Sequence, residues 1–161
     1  MLGDKRTARR HQEYLDGQHR DRDRTMRDTL ARAAHLVGMR LVVRTDTWHH
    51  LGTRPHLTDV LAGIDASRID GDPEDLRATV TVSLSGPQLV HLAAGLFADT
   101  ETDDSAPAEQ AARAMAGRLY PTLAAAIGTL YPRPLMGAAP ATAGEVRTFA
   151  LDSPSLDSSQ R

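Results

Sequence analysis

Apolar residues recur every three or four positions in four stretches of the chain, which is the spacing of one helix face. In the first stretch, residues 20–37, the stripe consists of Met26, Leu30, Ala33 and Val37. Gly38 is predicted to end this helix. The same spacing recurs in residues 53–64, 89–97 and 107–130. Thr53 is predicted to cap the second helix, and Pro121 predicts a kink or a division into two helices in the last.

Strict alternation of apolar and polar residues predicts strands. The clearest case is residues 77–84, where Val80, Val82 and Leu84 alternate with threonine and serine. Shorter runs of strand-forming residues occupy about 40–46 and 145–151. These patterns predict an α+β fold, in which a small two- or three-stranded sheet packs against several helices in a single domain.

The junction between residues 77–84 and the helix that follows carries a capping signal. Ser85 and Gln88 have the spacing of a capping box, in which each side chain satisfies a free backbone N–H group. An apolar stripe begins directly afterwards at Leu89. A strand, a cap and a helix are therefore predicted in immediate succession.

Composition shifts predict three regions. Residues 1–19 are polar and form a poorly ordered or helical arm that Gly17 interrupts. Residues 20–151 form the α+β globular domain, in which a Pro/Gly/Ala-rich linker at 131–144 precedes the last strand. Residues 152–161 are predicted to be a disordered tail.

Composition also limits the class of protein. The absence of cysteine excludes a disulfide framework, thiolate metal sites and cysteine nucleophiles. No apolar run approaches the ~20 residues that cross a bilayer, and no secretory signal follows the first basic residues, so a cytoplasmic protein without membrane contact is predicted. Aromatic residues make up only 4% of the chain, so the core is predicted to consist of smaller side chains that each bury less apolar area. Self-association is therefore expected to add to the stability of the fold. Eighteen arginines against one lysine indicate a GC-rich bacterial genome.

The segment RTDTWHHLGTRPH, residues 44–56, holds the only tryptophan and three of the seven histidines. It is predicted to be a loop between a strand and a helix. Tryptophan and arginine are favoured in binding sites, so the segment is also the candidate ligand-binding site. No metal site is predicted, because adjacent histidines diverge on either a helix or a strand. The candidate ligand-binding residues are Arg44, Trp48, His49, His50, Arg54 and His56.

Motifs for catalysis are missing from the sequence. It contains no GxSxG, GxxxxGK[ST], GxGxxG or HExxH pattern. The acidic stretch at 98–107 begins like a calcium loop at Asp99, but Asp104 and Gln110 stand where glycine and glutamate are required. This stretch is therefore predicted to be an acidic loop. No catalytic residue and no cofactor is predicted, which favours a protein that is not an enzyme.

Charge is distributed unevenly. Residues 1–54 hold 12 basic and 7 acidic side chains, a net charge of +5, whereas residues 55–161 hold 7 and 14, a net charge of −7. A basic segment can bind nucleic acid, but Asp21 and Asp23 alternate with the arginines and largely cancel their potential. The candidate nucleic-acid contacts are Lys5, Arg6, Arg9, Arg10, Arg20 and Arg24.

These patterns support three functional hypotheses. The leading one is a non-enzymatic cytosolic interaction or accessory protein that binds a protein partner or self-associates through its oppositely charged parts. The second is a weak nucleic-acid-binding accessory factor that uses the basic N-terminal segment. The third is a metal- or ligand-binding protein centred on Trp48–His56.

Overall fold

The computed structural model describes residues 2–131 and 146–152, with side-chain burial from residue 5 onward. The elements are α1 (Leu2–Ala34), β1 (Gly38–Arg44), α2 (Thr45–Gly52), α3 (Thr58–Ala62), a 3₁₀ turn (Ala66–Arg68), β2 (Ile69–Asp70), β3 (Thr79–Ser85), α4 (Gly86–Thr100), α5 (Pro107–Leu130) and β4 (Thr148–Ala150). Five α-helices and a mixed four-stranded sheet form one α+β domain across these residues, which confirms the predicted fold class.

The strands lie in the order β2-β3-β1-β4. β3 is antiparallel to both β1 and β2, whereas β4 is parallel to β1. β4 begins at the same end of the sheet as β1, and its three residues pair with Arg40, Leu41 and Val42. The residue after α5, Tyr131, stacks its ring on that of His35 near the start of β1. The sequence predicted two or three strands and missed β2.

One face of the sheet forms the core. Met39, Leu41 and Val43 of β1 are buried, and they pair across the sheet with Leu84, Val82 and Val80 of β3. The buried helix residues that pack with them include Leu51, Leu89, Leu92, Leu96, Leu119, Leu123 and Ile127. The opposite face carries mainly polar side chains, among them Arg40, Arg44 and Thr79, which are exposed. The alternation read in the sequence is thus the separation of a core face from a polar face.

The predicted cap at the start of α4 is confirmed. The Ser85 hydroxyl accepts from the Gln88 backbone N–H at 3.4 Å, and the Gln88 side-chain oxygen accepts from the Ser85 N–H at 2.9 Å. The next residue, Gly86, lies so close to the end of α1 that a Cβ there would be 2.4 Å from the Leu36 carbonyl oxygen. The cap and this glycine together fix α4 against α1.

Three predictions around residues 44–56 are wrong. Residues 45–52 form the helix α2 rather than a loop, and β1 ends at Arg44 rather than at Asp46. Tertiary contacts hold α2 in place: the Thr45 hydroxyl donates to the Ala78 carbonyl at 3.1 Å, and the Thr47 hydroxyl donates to Asp152 at 2.5 Å. The helix predicted for residues 53–64 is limited to α3, because Thr53 closes α2 instead of opening the next helix.

The two long helices are more continuous than predicted. α1 extends from Leu2 through Gly17, where an added Cβ would meet nothing within 4 Å. α5 passes through Pro121 as one helix, so the alternative of two helices is wrong. The buried side chains of Leu119 and Leu123 hold α5 to the core on both sides of that proline. The predicted linker from residue 132 and the predicted tail from residue 153 lie outside the described residues.

No helix in residues 2–131 is both long enough and apolar enough to cross a bilayer.

Candidate functional site

Arg54 is the buried charge of the segment between α2 and α3. Its backbone N–H donates to the Leu51 carbonyl at 3.1 Å, and its own carbonyl accepts from the N–H groups of Leu57 and Thr58 at 2.9 Å each. This tight turn directs the side chain inward, where Arg54 is only 8% exposed. α4 approaches the turn closely, since a Cβ on Gly95 would lie 2.4 Å from a methyl carbon of Leu57. The local fold therefore brings Arg54 beside the end of α4.

The guanidinium of Arg54 lies between two carboxylates. Nε and Nη2 donate to the two oxygens of Asp99 at 3.1 and 2.9 Å, while Nη1 and Nη2 donate to the two oxygens of Glu109 at 2.9 and 2.7 Å. Asp99 is in the last turn of α4 and only 2% exposed, and Glu109 is in the first turn of α5. Both pairs are bidentate, the strongest geometry that arginine forms with carboxylates.

His56 completes the group at its outer edge. Its Nε2 lies 2.7 Å from the Oδ1 atom of Asp99, and its side chain is 44% exposed. We call Arg54, His56, Asp99 and Glu109 the ion cluster. With a neutral imidazole the ion cluster carries a net charge of −1, and with a protonated imidazole it is neutral. It joins three segments of the chain: the α2–α3 turn, the end of α4 and the start of α5.

The environment keeps the two carboxylates and the arginine of the ion cluster charged. The hydrogen bonds to Glu109 and Asp99 raise the pKa of Arg54 further above its ordinary value. Burial opposes the ionisation of Asp99, but the hydrogen bonds from Arg54 and His56 outweigh it and hold the pKa of Asp99 below its usual range. The hydrogen bond from Arg54 also lowers the pKa of Glu109. Neither carboxyl is therefore adapted to exchange protons near neutral pH.

The geometry of the ion cluster is that of a structural clamp. Four of the five N–H donors of the guanidinium are used within the chain, and Asp99 is closed to solvent. A substrate would have to displace a carboxylate from Arg54 to bind there, which would leave a buried charge unpaired. The charged groups of the ion cluster are thus used in hydrogen bonds to one another.

The structure separates the six candidate ligand residues. Arg54 and His56 belong to the ion cluster, while Arg44 donates to Asp46 at 3.1 and 2.6 Å on the surface. Trp48 and His49 line a shallow groove of about 340 Å³, in which the Nε2 atom of His49 lies 2.6 Å from the Pro73 carbonyl oxygen. The Nε2 atom of His50 is buried and has no hydrogen-bond partner among the described residues. The six residues do not converge on one point.

No group of three or more metal-ligating side chains occurs in the described ranges.

Sequence reasoning missed Asp99 and Glu109. Asp99 was assigned to the acidic loop at 98–107, whereas α4 continues to Thr100 and carries Asp99 into the interior. Glu109 fell within the predicted last helix and was given no role. A signal was available. Asp99 extends the buried stripe of Leu92 and Leu96 at helical spacing, so it lies on the core face of α4. A charged residue on that face needs a buried partner of opposite charge.

The predicted nucleic-acid residues lie on one side of α1. At 100° per residue, the six predicted residues and Arg27, which was not among them, fall within about 140° of the helix circumference; the seven are Lys5, Arg6, Arg9, Arg10, Arg20, Arg24 and Arg27. We call these seven residues the basic stripe. All are exposed, and the buried Thr29 and Ala33 lie on the opposite side of α1. Four acidic residues share the arc, namely Glu13, Asp16, Asp23 and Asp28, so the stripe keeps an excess of positive charge.

Arg22 differs from the arginines on either side of it. It points to the body of the domain, where its Nη2 atom lies 2.7 Å from Glu101 and its guanidinium lies 5.8 Å from the centre of the Phe97 ring. Glu101 directly follows α4, so this contact marks the end of the surface on which α1 packs. The hydrogen bonds between side chains of residues 9–18 remain within α1. Residues 2–20 therefore extend past α4 by about 28 Å.

Three guanidinium groups of the basic stripe surround a shallow depression. Arg20, Arg24 and Arg27 line it together with Asp23, and its volume is about 290 Å³. Their spacing of four and three residues places them on adjacent turns of one helix face.

Comparisons of the chain with protein-family models, with curated proteins and with solved structures give no match.

Proposed function

We propose that this chain is a non-enzymatic interaction protein that binds an acidic macromolecular surface through the basic stripe of α1. The observation that carries the proposal is the continuity of α1 from Leu2 to Ala34. Its C-terminal half is anchored in the core at Thr29 and Ala33, while its N-terminal half projects with basic side chains outward. A rigid projecting helix presents its charges at fixed spacing, so a partner can bind without first ordering it.

The ion cluster supports the same proposal, because its charged groups bind one another. Its carboxylates and its guanidinium satisfy one another, and their shifted pKa values keep them charged. Among the described side chains, the basic stripe is a charged set directed toward solvent. The chemistry that is available to a partner is therefore electrostatic.

A second candidate function, nucleic-acid binding, is favoured by the depression among Arg20, Arg24 and Arg27. The sequence suggested that alternating aspartates cancel these charges. On the helix, Asp23 lines the depression together with the three arginines, and Arg22 turns to the body, so three positive charges face one negative charge there. The guanidinium groups that remain on the outer face can contact consecutive phosphates.

Fluorescence anisotropy with two labelled probes tests the proposal: an oligoglutamate peptide and a DNA duplex of equal charge. The test variant is Arg20→Gln/Arg24→Gln/Arg27→Gln. The control variant, Arg77→Gln/Arg113→Gln/Arg118→Gln, removes the same charge from exposed positions outside α1. We expect the wild-type protein and the control to bind oligoglutamate at low salt, and the test variant to bind at least about tenfold more weakly.

The two probes separate the candidate functions. Equal loss of oligoglutamate binding in both variants would show that only net charge matters, and the stripe would then have no special role. Much tighter binding to DNA than to oligoglutamate, with the logarithm of affinity falling linearly with the logarithm of salt concentration, would favour the nucleic-acid function. Removal of residues 1–19 tests the other four residues of the stripe, Lys5, Arg6, Arg9 and Arg10, and leaves the packed half of α1 in place.

A further inference from the structure

We propose that the acidic partner of the basic stripe is a second copy of this chain, bound through its acidic loop at residues 70–75. This inference rests on the proposed function and assigns the partner. Residues 5–27 hold eight basic and four acidic side chains, whereas residues 55–161 carry an excess of seven negative charges. The chain thus contains both halves of a complementary pair.

The pair cannot form within one copy through the projecting part of α1. That segment belongs to the same unbroken helix as Thr29 and Ala33, which are fixed in the core. Bending it back would break the helix. Its N-terminal half therefore stays away from its own body and is free to contact the body of another copy.

The loop at residues 70–75 is suited to bind the projecting part of α1 from a second copy. Asp70, Asp72, Glu74 and Asp75 supply four carboxylates within six residues, and all four are exposed. In the part of the chain that the structure describes, none of them forms an ion pair. Asp72 and Asp75 order the loop by accepting from the backbone N–H groups of Glu74 and Arg77 at 2.9 and 3.0 Å. The carboxylates of Asp70 and Glu74 remain available for a partner.

The acidic residues at 101–104 are less suitable. Glu101 is already paired with Arg22 of its own chain, and Asp104 accepts from the Ala106 N–H at 2.9 Å. They also lie beside the point at which α1 leaves the body, where a second helix would meet the first. The 70–75 loop follows β2, which is an edge strand of the sheet.

The size of the contact favours a reciprocal dimer. A helix segment about 28 Å long and about 10 Å wide covers roughly 300 Å², so one docked arm buries roughly 600 Å² in total. A stable interface needs roughly 1,200 Å². Two arms that each dock on the other copy reach that value, and two-fold symmetry makes both contacts at once.

Sedimentation velocity across protein and salt concentrations tests this assignment with paired charge reversals. The stripe variant is Arg6→Glu/Arg10→Glu, both in the projecting part of α1, and the loop variant is Asp70→Lys/Glu74→Lys. We expect the wild-type protein to dimerise at low salt and each variant alone to dissociate at least about tenfold more readily. The control, Arg113→Glu/Arg118→Glu on the exposed side of α5, is expected to dimerise like wild type.

An equimolar mixture of the stripe and loop variants gives the decisive result. In the mixture each reversed stripe meets a reversed loop, and each native stripe meets a native loop, so we expect the heterodimer to form. A wild-type protein that stays monomeric at low salt, or a mixture that fails to associate, would overturn the assignment. If the monomeric protein still binds oligoglutamate through the stripe, the proposed function stands without it. If the protein neither dimerises nor binds oligoglutamate, both the assignment of the partner and the proposed function are wrong.

Discussion

At the scale of single residues, Arg54 shows how one side chain can join distant parts of the chain. Asp99 and Glu109 lie 45 and 55 positions further along the sequence, yet both bind the same guanidinium in bidentate geometry. The desolvation of three charges is offset only while all of them remain paired. The ion cluster therefore makes the position of the α2–α3 turn depend on α4 and α5.

Removal of Arg54 is expected to be costly. Arg54→Ala leaves the carboxylate of Asp99 buried and without its main partner, so we expect the free energy of unfolding to fall by about 3 kcal/mol or more. The control is Arg44→Ala, which breaks a half-exposed ion pair with Asp46 and is expected to cost at most about 1 kcal/mol. Urea denaturation of both variants measures the difference. Similar losses in the two would mean that the ion cluster has no special role in stability.

Acid is expected to weaken the same clamp. Since the folded-state pKa values of Asp99 and Glu109 lie below the ordinary values of 3.8 and 4.5, their stabilisation is complete above those values. It is lost as the pH falls through the lowered folded-state values, because the unfolded chain binds protons first. We expect Glu109→Gln to show a shallower loss of stability than wild type below about pH 4.5. Denaturation at a series of pH values tests this, and identical slopes would contradict it.

At the scale of elements, helix geometry decides which side chains meet a partner. The RDRDR segment at residues 20–24 alternates in sequence, but a helix turns about 100° per residue and sorts these charges differently. Arg20 and Arg24 come to the outer face, while Arg22 contacts Glu101 and Phe97. Packing between elements also depends on single residues. α4 packs against the α2–α3 turn at Gly95, where a side chain would overlap with Leu57.

Two glycine substitutions separate packing from helix propensity. Gly95→Ala would place a Cβ 2.4 and 2.9 Å from two carbons of Leu57, which is fully buried, so we expect a loss of about 1–3 kcal/mol. Gly117→Ala on the exposed side of α5 meets nothing within 4 Å, so we expect a gain of about 0.5–1 kcal/mol. Thermal and urea denaturation measure both changes. A stabilising Gly95→Ala would contradict the close contact with Leu57.

At the scale of the whole molecule, the domain has two differently charged parts that a single helix holds apart. The anchored half of α1 packs on α4 and α5, and the projecting half carries Lys5, Arg6, Arg9 and Arg10 of the basic stripe past the end of α4. This separation links the fold to the proposed association, because charges that cannot neutralise one another within a copy can do so between copies. The salt dependence of the dimer is the corresponding observable.

The sequence alone determined the features that depend on neighbouring residues. The alternation of Val80, Val82 and Leu84, the capping box of Ser85 and Gln88, and the apolar stripes of α4 and α5 are local patterns, and the structure confirms them. The opposite net charges of residues 1–54 and 55–161 were also visible in the sequence, because they require only a count of charged residues.

Only the tertiary structure decided the features that depend on distant residues. Thr45 and Thr47, in the first turn of α2, bind Ala78 and Asp152, and no pattern within residues 44–56 reveals these contacts. The partners of Arg54 were hidden for the same reason, because Asp99 and Glu109 are distant in sequence. The parallel pairing of β4 with β1 also joins distant residues. Local propensity decides the structure of a segment only where such long-range contacts do not compete with it.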